Sequence, residues 1–184
     1  KSSNFFNNDF HINGGISISE IRSDIDGEDS STSLNGILLP SGMQHFGVFT
    51  EINHNSKNTK SDEIYKSVLN HKASGVFSGL INVAKMADGT KSYQSNKNIL
   101  LSEDAKMLSK PSLVINADEV VCSHGSATGQ IDKEALFYLQ SRGISKNNAI
   151  KLLLKAFFSD ILNNENELKL KNEINSLINK KLNV

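Results

Sequence analysis

"GVFSGLINVA", residues 75–84, decides the fold. Phe77, Gly79, Ile81 and Val83 fall on one side of an extended chain and Val76, Ser78, Leu80 and Asn82 on the other, because successive side chains of a strand point to opposite faces. No 3.6-residue spacing of apolar positions runs through the stretch, so it reads as a strand. The same two-residue period appears on either side of it. In "GISISEI" (15–21) Ile16 and Ile18 alternate with Ser17 and Ser19, and "SLVINADEVVCSH" (112–124) continues the pattern. From about residue 11 to 130 short apolar stretches are broken by Gly, Asn, Ser and Asp, and no helical repeat is sustained. The expected class is mainly β with C-terminal helices.

The turns bear on the architecture. Two-residue Asn-Gly and Asp-Gly loops are few and the punctuation is uneven, which is unusual for a chain of hairpins. Parallel coiling fits better: in a parallel β-helix strands stack coil upon coil, one face fills the interior, and polar residues such as Asn can ladder at the bends. A sandwich is the structural alternative that the pattern leaves open.

Past residue 130 the period becomes 3.6. "QIDKEALFYLQSRGIS" reads as a helix with Asp132 near its start, Ala135, Leu136 and Leu139 on one face, and Gly143 as a left-handed stop. Ser145 offers an N-cap to a second helix, in which Ile150, Leu153, Leu154, Phe157, Phe158, Ile161 and Leu162 keep the i, i+3, i+4, i+7 spacing. A third, roughly Glu167 to Leu182, carries Leu170, Ile174, Leu177, Ile178 and Leu182 on one side. The expected role of these helices is to cap the open end of the sheet and bury its last edge; the sharper reading has part of the apolar face docking a partner. Phe157 and Phe158 project about 100 degrees apart, so they are expected to face different surroundings. The division is 1–10 a disordered or frayed leader, 11–130 a β-helix core and 131–184 a helical subdomain, and the lysine-first, asparagine-rich opening suggests the carboxyl-terminal part of a longer chain.

Composition narrows the function. The 184 residues carry 20 Lys plus Arg against 20 Asp plus Glu, so no net field points to nucleic acid or an anionic membrane. No apolar run approaches the roughly 20 residues that cross a bilayer, and a single cysteine forms no internal disulfide, which favours a soluble protein of a reducing compartment. The sequence holds no G-x-x-x-x-G-K-[ST], no G-x-G-x-x-G after a strand, no H-E-x-x-H, no C-x-x-C and no G-x-S-x-G. No nucleotide is expected on this chain; ATP, if used, is hydrolysed by another.

Cys122 and His124 are the remaining candidates for chemistry. Positions i and i+2 of a strand share a face about 6.6 Å apart. That is long for a nucleophilic Cys–His pair and suits two ligands converging on one metal, with bonds of about 2.3 Å to sulfur and 2.0 Å to nitrogen. Two ligands complete neither a tetrahedral site nor an iron-sulfur cluster, which takes about four, so a second chain would have to finish the site. The bland alternative is a small buried thiol beside a surface histidine. His11, His45, His54 and His71 read as scattered strand or loop residues without a carboxylate or cysteine at ligand spacing.

The order of these pieces resembles the SufB/SufD family of iron-sulfur cluster assembly proteins. Over about residues 34 to 162, G-V-F-x-G, Q-x-N-K-N-x-L-L-S, K-P-x-L and C-S-H-G followed by F-Y-L-x-S-R-G-I come in the family's order and spacing, and the C-S-H-G form resembles the SufD-like branch. The resemblance implies a right-handed parallel β-helix followed by an α-helical subdomain. It implies a scaffold rather than an enzyme, in a complex with a SufB-type subunit, or a second copy of itself, through the β-helix, and with a SufC-type ABC ATPase through the C-terminal helices. By the same similarity His124 and Cys122 would hold a nascent iron-sulfur cluster, transient and shared with the partner chain, and Phe137, Tyr138 and Arg142 would lie in or beside the ATPase-docking region. The expected location is the cytoplasm, or a plastid stroma. Two other functions compete: a structural adaptor for the ATPase with no ligand site of its own, and a solenoid enzyme acting on polysaccharide, for which Arg22 and Arg142 are the only arginines.

Overall fold

In the computed structural model residues 1–163 and 168–181 are described. Nine strands alternate between two parallel sheets. One, sheet A, has the order β1-β3-β5-β7-β9 (Asn4–His11, Ser31–Leu38, Lys60–Leu69, Lys91–Leu100, Val121–Gly129); the other, sheet B, has the order β2-β4-β6-β8 (Ile16–Ile25, His45–His54, Ser74–Val83, Lys106–Ile115). Each strand pairs in register with the strand two further along the chain, so the chain winds as a parallel β-solenoid of about four coils. His45 pairs with Ser74, a step of 29 residues; Ser61 pairs with Ser92, a step of 31. The coil, and not the sandwich, is the architecture.

The alternation in 75–84 places residues as expected. Phe77, Ile81 and Val83 are buried inside the coil with Phe46, Val48, Ile52, Leu34 and Tyr65, and Gly79 shares their face. "GISISEI" is wired the other way: Ile16 and Ile18 stand exposed on the outside of sheet B, while Ser17 and Ser19 point inward to His11 and Asp9. An asparagine ladder is present, within the strands and not at the bends, with Asn82 donating to Asn53 and Asn53 to Asp24 across three coils.

Residues 4–10, placed in a leader by the sequence, form β1 together with His11, paired along its length with β3. Asn is a poor strand former, but here the backbone of β1 is paired throughout and side chains bond laterally, as Asn35 does to Asn8.

Three helices follow: α1 (Lys133–Ser141), α2 (Lys146–Asn163) and α3 (Leu168–Lys181). Asp132 caps α1, its carboxylate accepting from the backbone N–H of Glu134 and Ala135 at 2.9 and 3.1 Å, and Gly143 turns the chain at φ +85°. Leu154, Phe158, Ile161, Leu162, Ile174 and Ile178 pack on Ile37, Val68, Phe10, Ile64 and Ile99, which are outward-facing residues of sheet A. This corrects the expectation that the helices cap the open end of the sheet. They lie along its outer face because β1, β3, β5 and β7 offer an apolar row there, and the last edge stays uncovered. Phe157 and Phe158 share one cluster, their rings 5.1 Å apart edge to face. Lys66 of β5 fastens the layers: its ammonium donates to both carboxylate oxygens of Asp160 at 2.7 and 2.6 Å and to the Phe157 carbonyl at 2.6 Å. Leu177 is partly exposed at the margin of α3, while Glu167, Leu182 and the side chain of Leu170 lie outside the described residues.

Candidate functional site

β9 ends sheet A. It is bonded to β7 on one side and to no described strand on the other, and β8 is likewise the edge strand of sheet B at this end of the coil. Coil after coil the inward residues are sealed by the next coil, so at this end the inward rows open to solvent as a mouth. Cys122, His124, Ser126 and Thr128 line it from β9, in register with the inward Ser92, Gln94, Asn96 and Asn98 of β7.

Hydrogen bonds hold β9 in this register. Ser126 donates to Ser109 of β8 at 2.7 Å, Ser109 to Asn96 at 2.7 Å, and Asn98 to Thr128 at 3.1 Å. The pair expected to share a face does so. His124 is exposed, and Cys122 is half-buried, its thiol against the last layer of the core. Burial pushes the thiol above its ordinary pKa, with a backbone hydrogen bond from Ser92 acting in the opposite direction. Cys122 is therefore mostly protonated at neutral pH and becomes a ligand only on losing that proton. Among the described residues no three His, Cys, Asp or Glu side chains are grouped so as to hold a metal ion, so the chain brings two donors to the mouth. Around them Leu108, Val114, Ile115 and Val121 are exposed on the two free edges.

Phe137 and Tyr138 stand out from α1 at 73% and 57% exposure, and the Arg142 guanidinium lies 5.4 Å from the Tyr138 ring centre. They form one surface, on a helix with no buried residue, and are not part of the mouth cluster. Beside α1 a cleft of about 490 Å3 runs between the last coil and α2, lined by Asn70, Leu101, Gln130, Lys133 and Lys146 among others. No helix among the described residues is long and apolar enough to cross a membrane.

Two groups escaped the sequence reading. His11 does have a carboxylate at two-residue spacing: Asp9 accepts from its Nε2 at 2.9 Å, while Nδ1 lies 2.7 Å from Ser17. And the inner face of β7 is polar at four successive inward positions, Ser92, Gln94, Asn96 and Asn98 all being buried. The alternation in "SYQSNKN" marks these four as one face, but nothing local says that the polar face is the inner one.

Such an arrangement defines a class, a parallel solenoid subunit whose last coil carries a thiol and an imidazole on one face of a free edge strand. The chain belongs to the SufBD core family: the family model described as SUF system FeS cluster assembly, SufBD core domain, matches residues 1–157. It is 32% identical over 177 residues to the iron-sulfur cluster assembly protein SufD of Escherichia coli, covering 96% of this chain and 42% of that protein. Similarity to SufD of Bacillus subtilis is 28% over 171 residues (93% and 39%), and to the chloroplastic protein ABCI7 of Arabidopsis thaliana 31% over 137 residues (74% and 29%). The chain thus spans about two fifths or less of the length of these relatives.

Proposed function

We propose that the chain is a scaffold subunit, without catalytic turnover of its own, in a SUF-type machine that builds iron-sulfur clusters, and that the nascent cluster is cargo shared at the solenoid mouth. One observation carries the reading: the strand bearing Cys122 and His124 is the last of its sheet, so an inward-facing thiol and imidazole are open to a neighbour. A free strand edge pairs readily with another chain, and the exposed Leu108, Val114, Ile115 and Val121 give that pairing an apolar margin. The partner, a SufB-type subunit or a second copy of this chain, supplies the remaining ligands that a cluster needs.

The ATPase of the machine docks on α1. Aromatic and arginine side chains are enriched at protein interfaces, and Phe137, Tyr138 and Arg142 offer both on a helix that the solenoid does not bury. The relatives are bacterial and chloroplastic, which fits a cytoplasmic or stromal setting where free thiols persist.

Co-purification with candidate SufB-type and ATPase chains tests the reading, by the mass of the complex and then its visible absorption after iron and sulfide are supplied. Disruption of Phe137 and Tyr138 should release the ATPase, and His124→Ala should spare the complex while abolishing the cluster. If Cys122 and His124 can both be replaced without loss, the chain is an adaptor only.

A further inference from the structure

Four inward positions on successive strands of sheet A stand in one row: Leu34 of β3, Glu63 of β5, Gln94 of β7 and His124 of β9. Only His124 reaches the mouth; Glu63 is 1% and Gln94 3% exposed. Gln94 donates from Nε2 to Glu63 Oε2 at 2.7 Å, and its own Oε1 is buried with no hydrogen-bond partner. Buried side-chain carbonyls are nearly always satisfied, and the register neighbour on the side away from Glu63 is His124. Adjacent strands lie about 4.8 Å apart, so side chains at paired inward positions lie against each other. A neutral imidazole always carries one N–H.

We propose that Gln94, anchored through its amide nitrogen on Glu63, is a positioning residue for His124: its Oε1 accepts one ring N–H and leaves the other ring nitrogen, lone pair free, facing out of the mouth. The inference rests on the reading of His124 as a ligand to the cargo, and adds what aims it. Metal-binding histidines donate their second N–H to a fixed acceptor, which sets tautomer and ring direction; the exposed His124 ring needs such an acceptor to be aimed. The opposite wall is shaped for the amide. Gly79 of β6 faces it, and a Cβ there would collide with Gln94 Nε2.

The test is 15N-histidine NMR of the intact protein, with the His124 ring signal assigned by its loss in His124→Ala. A ring N–H protected from exchange with water is expected, and Gln94→Met should speed that exchange about tenfold, the equivalent of one ordinary hydrogen bond. Glu63→Leu should do the same through loss of the anchor, whereas Glu63→Gln, which keeps a polar partner for the amide, should leave the signal as it was. This pair keeps the test decisive should Gln94→Met fail to fold. In the assembled complex Gln94→Met should weaken iron retention about 10-fold to 100-fold, the usual effect of losing such a partner. A His124 ring signal unchanged in Gln94→Met, or equal effects of Glu63→Gln and Glu63→Leu, would overturn the positioning role. Failure of the underlying reading looks different: His124→Ala itself would retain iron.

Discussion

Acid should weaken this fold through one histidine in a calculable way. His54, at the end of β4, is fully buried, its Nδ1 2.8 Å from the Thr59 hydroxyl and its Nε2 2.9 Å from that of Ser61. Burial pushes its pKa down from 6.5 to about 4. Between those values the unfolded chain binds a proton that the folded chain refuses, so stability rises with pH through this window and is lost on acidification from near 6.5 toward 4. At 1.36 kcal/mol per unit the whole window is worth about 3 kcal/mol, of which about 2 is withdrawn between pH 7 and pH 5. Glu63 acts with the opposite sign: burial raises its carboxyl above 4.5, so its contribution is present at low pH and is lost as pH rises through the folded value. The raw profile therefore mixes the two, and the difference between wild type and His54→Gln isolates the histidine, because Gln can still bond both hydroxyls but does not ionise. Urea unfolding at about pH 7 and pH 5 should show wild type losing about 2 kcal/mol more than the variant. Parallel losses in the two proteins would refute the assignment of His54 as a buried neutral histidine.

Other substitutions separate the layers. Phe158→Ala removes a fully buried ring from the seam between α2 and sheet A and should cost about 3–5 kcal/mol in thermal or urea unfolding. Lys66→Met loses the bonds to Asp160 and the Phe157 carbonyl and the ammonium's place over the Phe157 ring; with Asp160 half-exposed, about 1–3 kcal/mol is expected, seen also as faster proteolysis of the helices. Gly36→Ala would push a methyl into the ring of Tyr65, which lies over that glycine, and should destabilise by about 1–3 kcal/mol with no change at the mouth. Cys122 should alkylate more slowly than a free thiol at neutral pH and speed up as pH rises, because burial raises its pKa.

Much of the coil could be read from alternation. Phe77, Ile81 and Val83 are apolar and inward, so period and chemistry agree, and the caps Asp132 and Gly143 are local signals that need no tertiary context. The polarity of β2 and β7 could not be read the same way. Ile16 and Ile18 face out because Ser17 and Ser19 meet His11 and Asp9 across the lumen, and β7 turns Ser92, Gln94 and Asn96 inward because their partners are Ser61, Glu63 and the carbonyl of Tyr65 on the coil before. A period of two gives faces without saying which is inside. The helices show the same limit. Their apolar stripe demands a surface, but its address is set by Lys66 meeting Asp160, separated by 94 residues, which no local pattern encodes. For the site, the spacing of Cys122 and His124 predicted one face; that the face opens to solvent depends on β9 being the last strand of its sheet.

The central claim is that this mouth is half of a cluster-building site. Its most direct test is to assemble the complex with SufB-type and ATPase chains using His124→Ala, confirm its mass, and measure bound iron, sulfide and visible absorption against wild type. An intact complex without a cluster is the predicted result; an intact complex that matures as fully as wild type would contradict it.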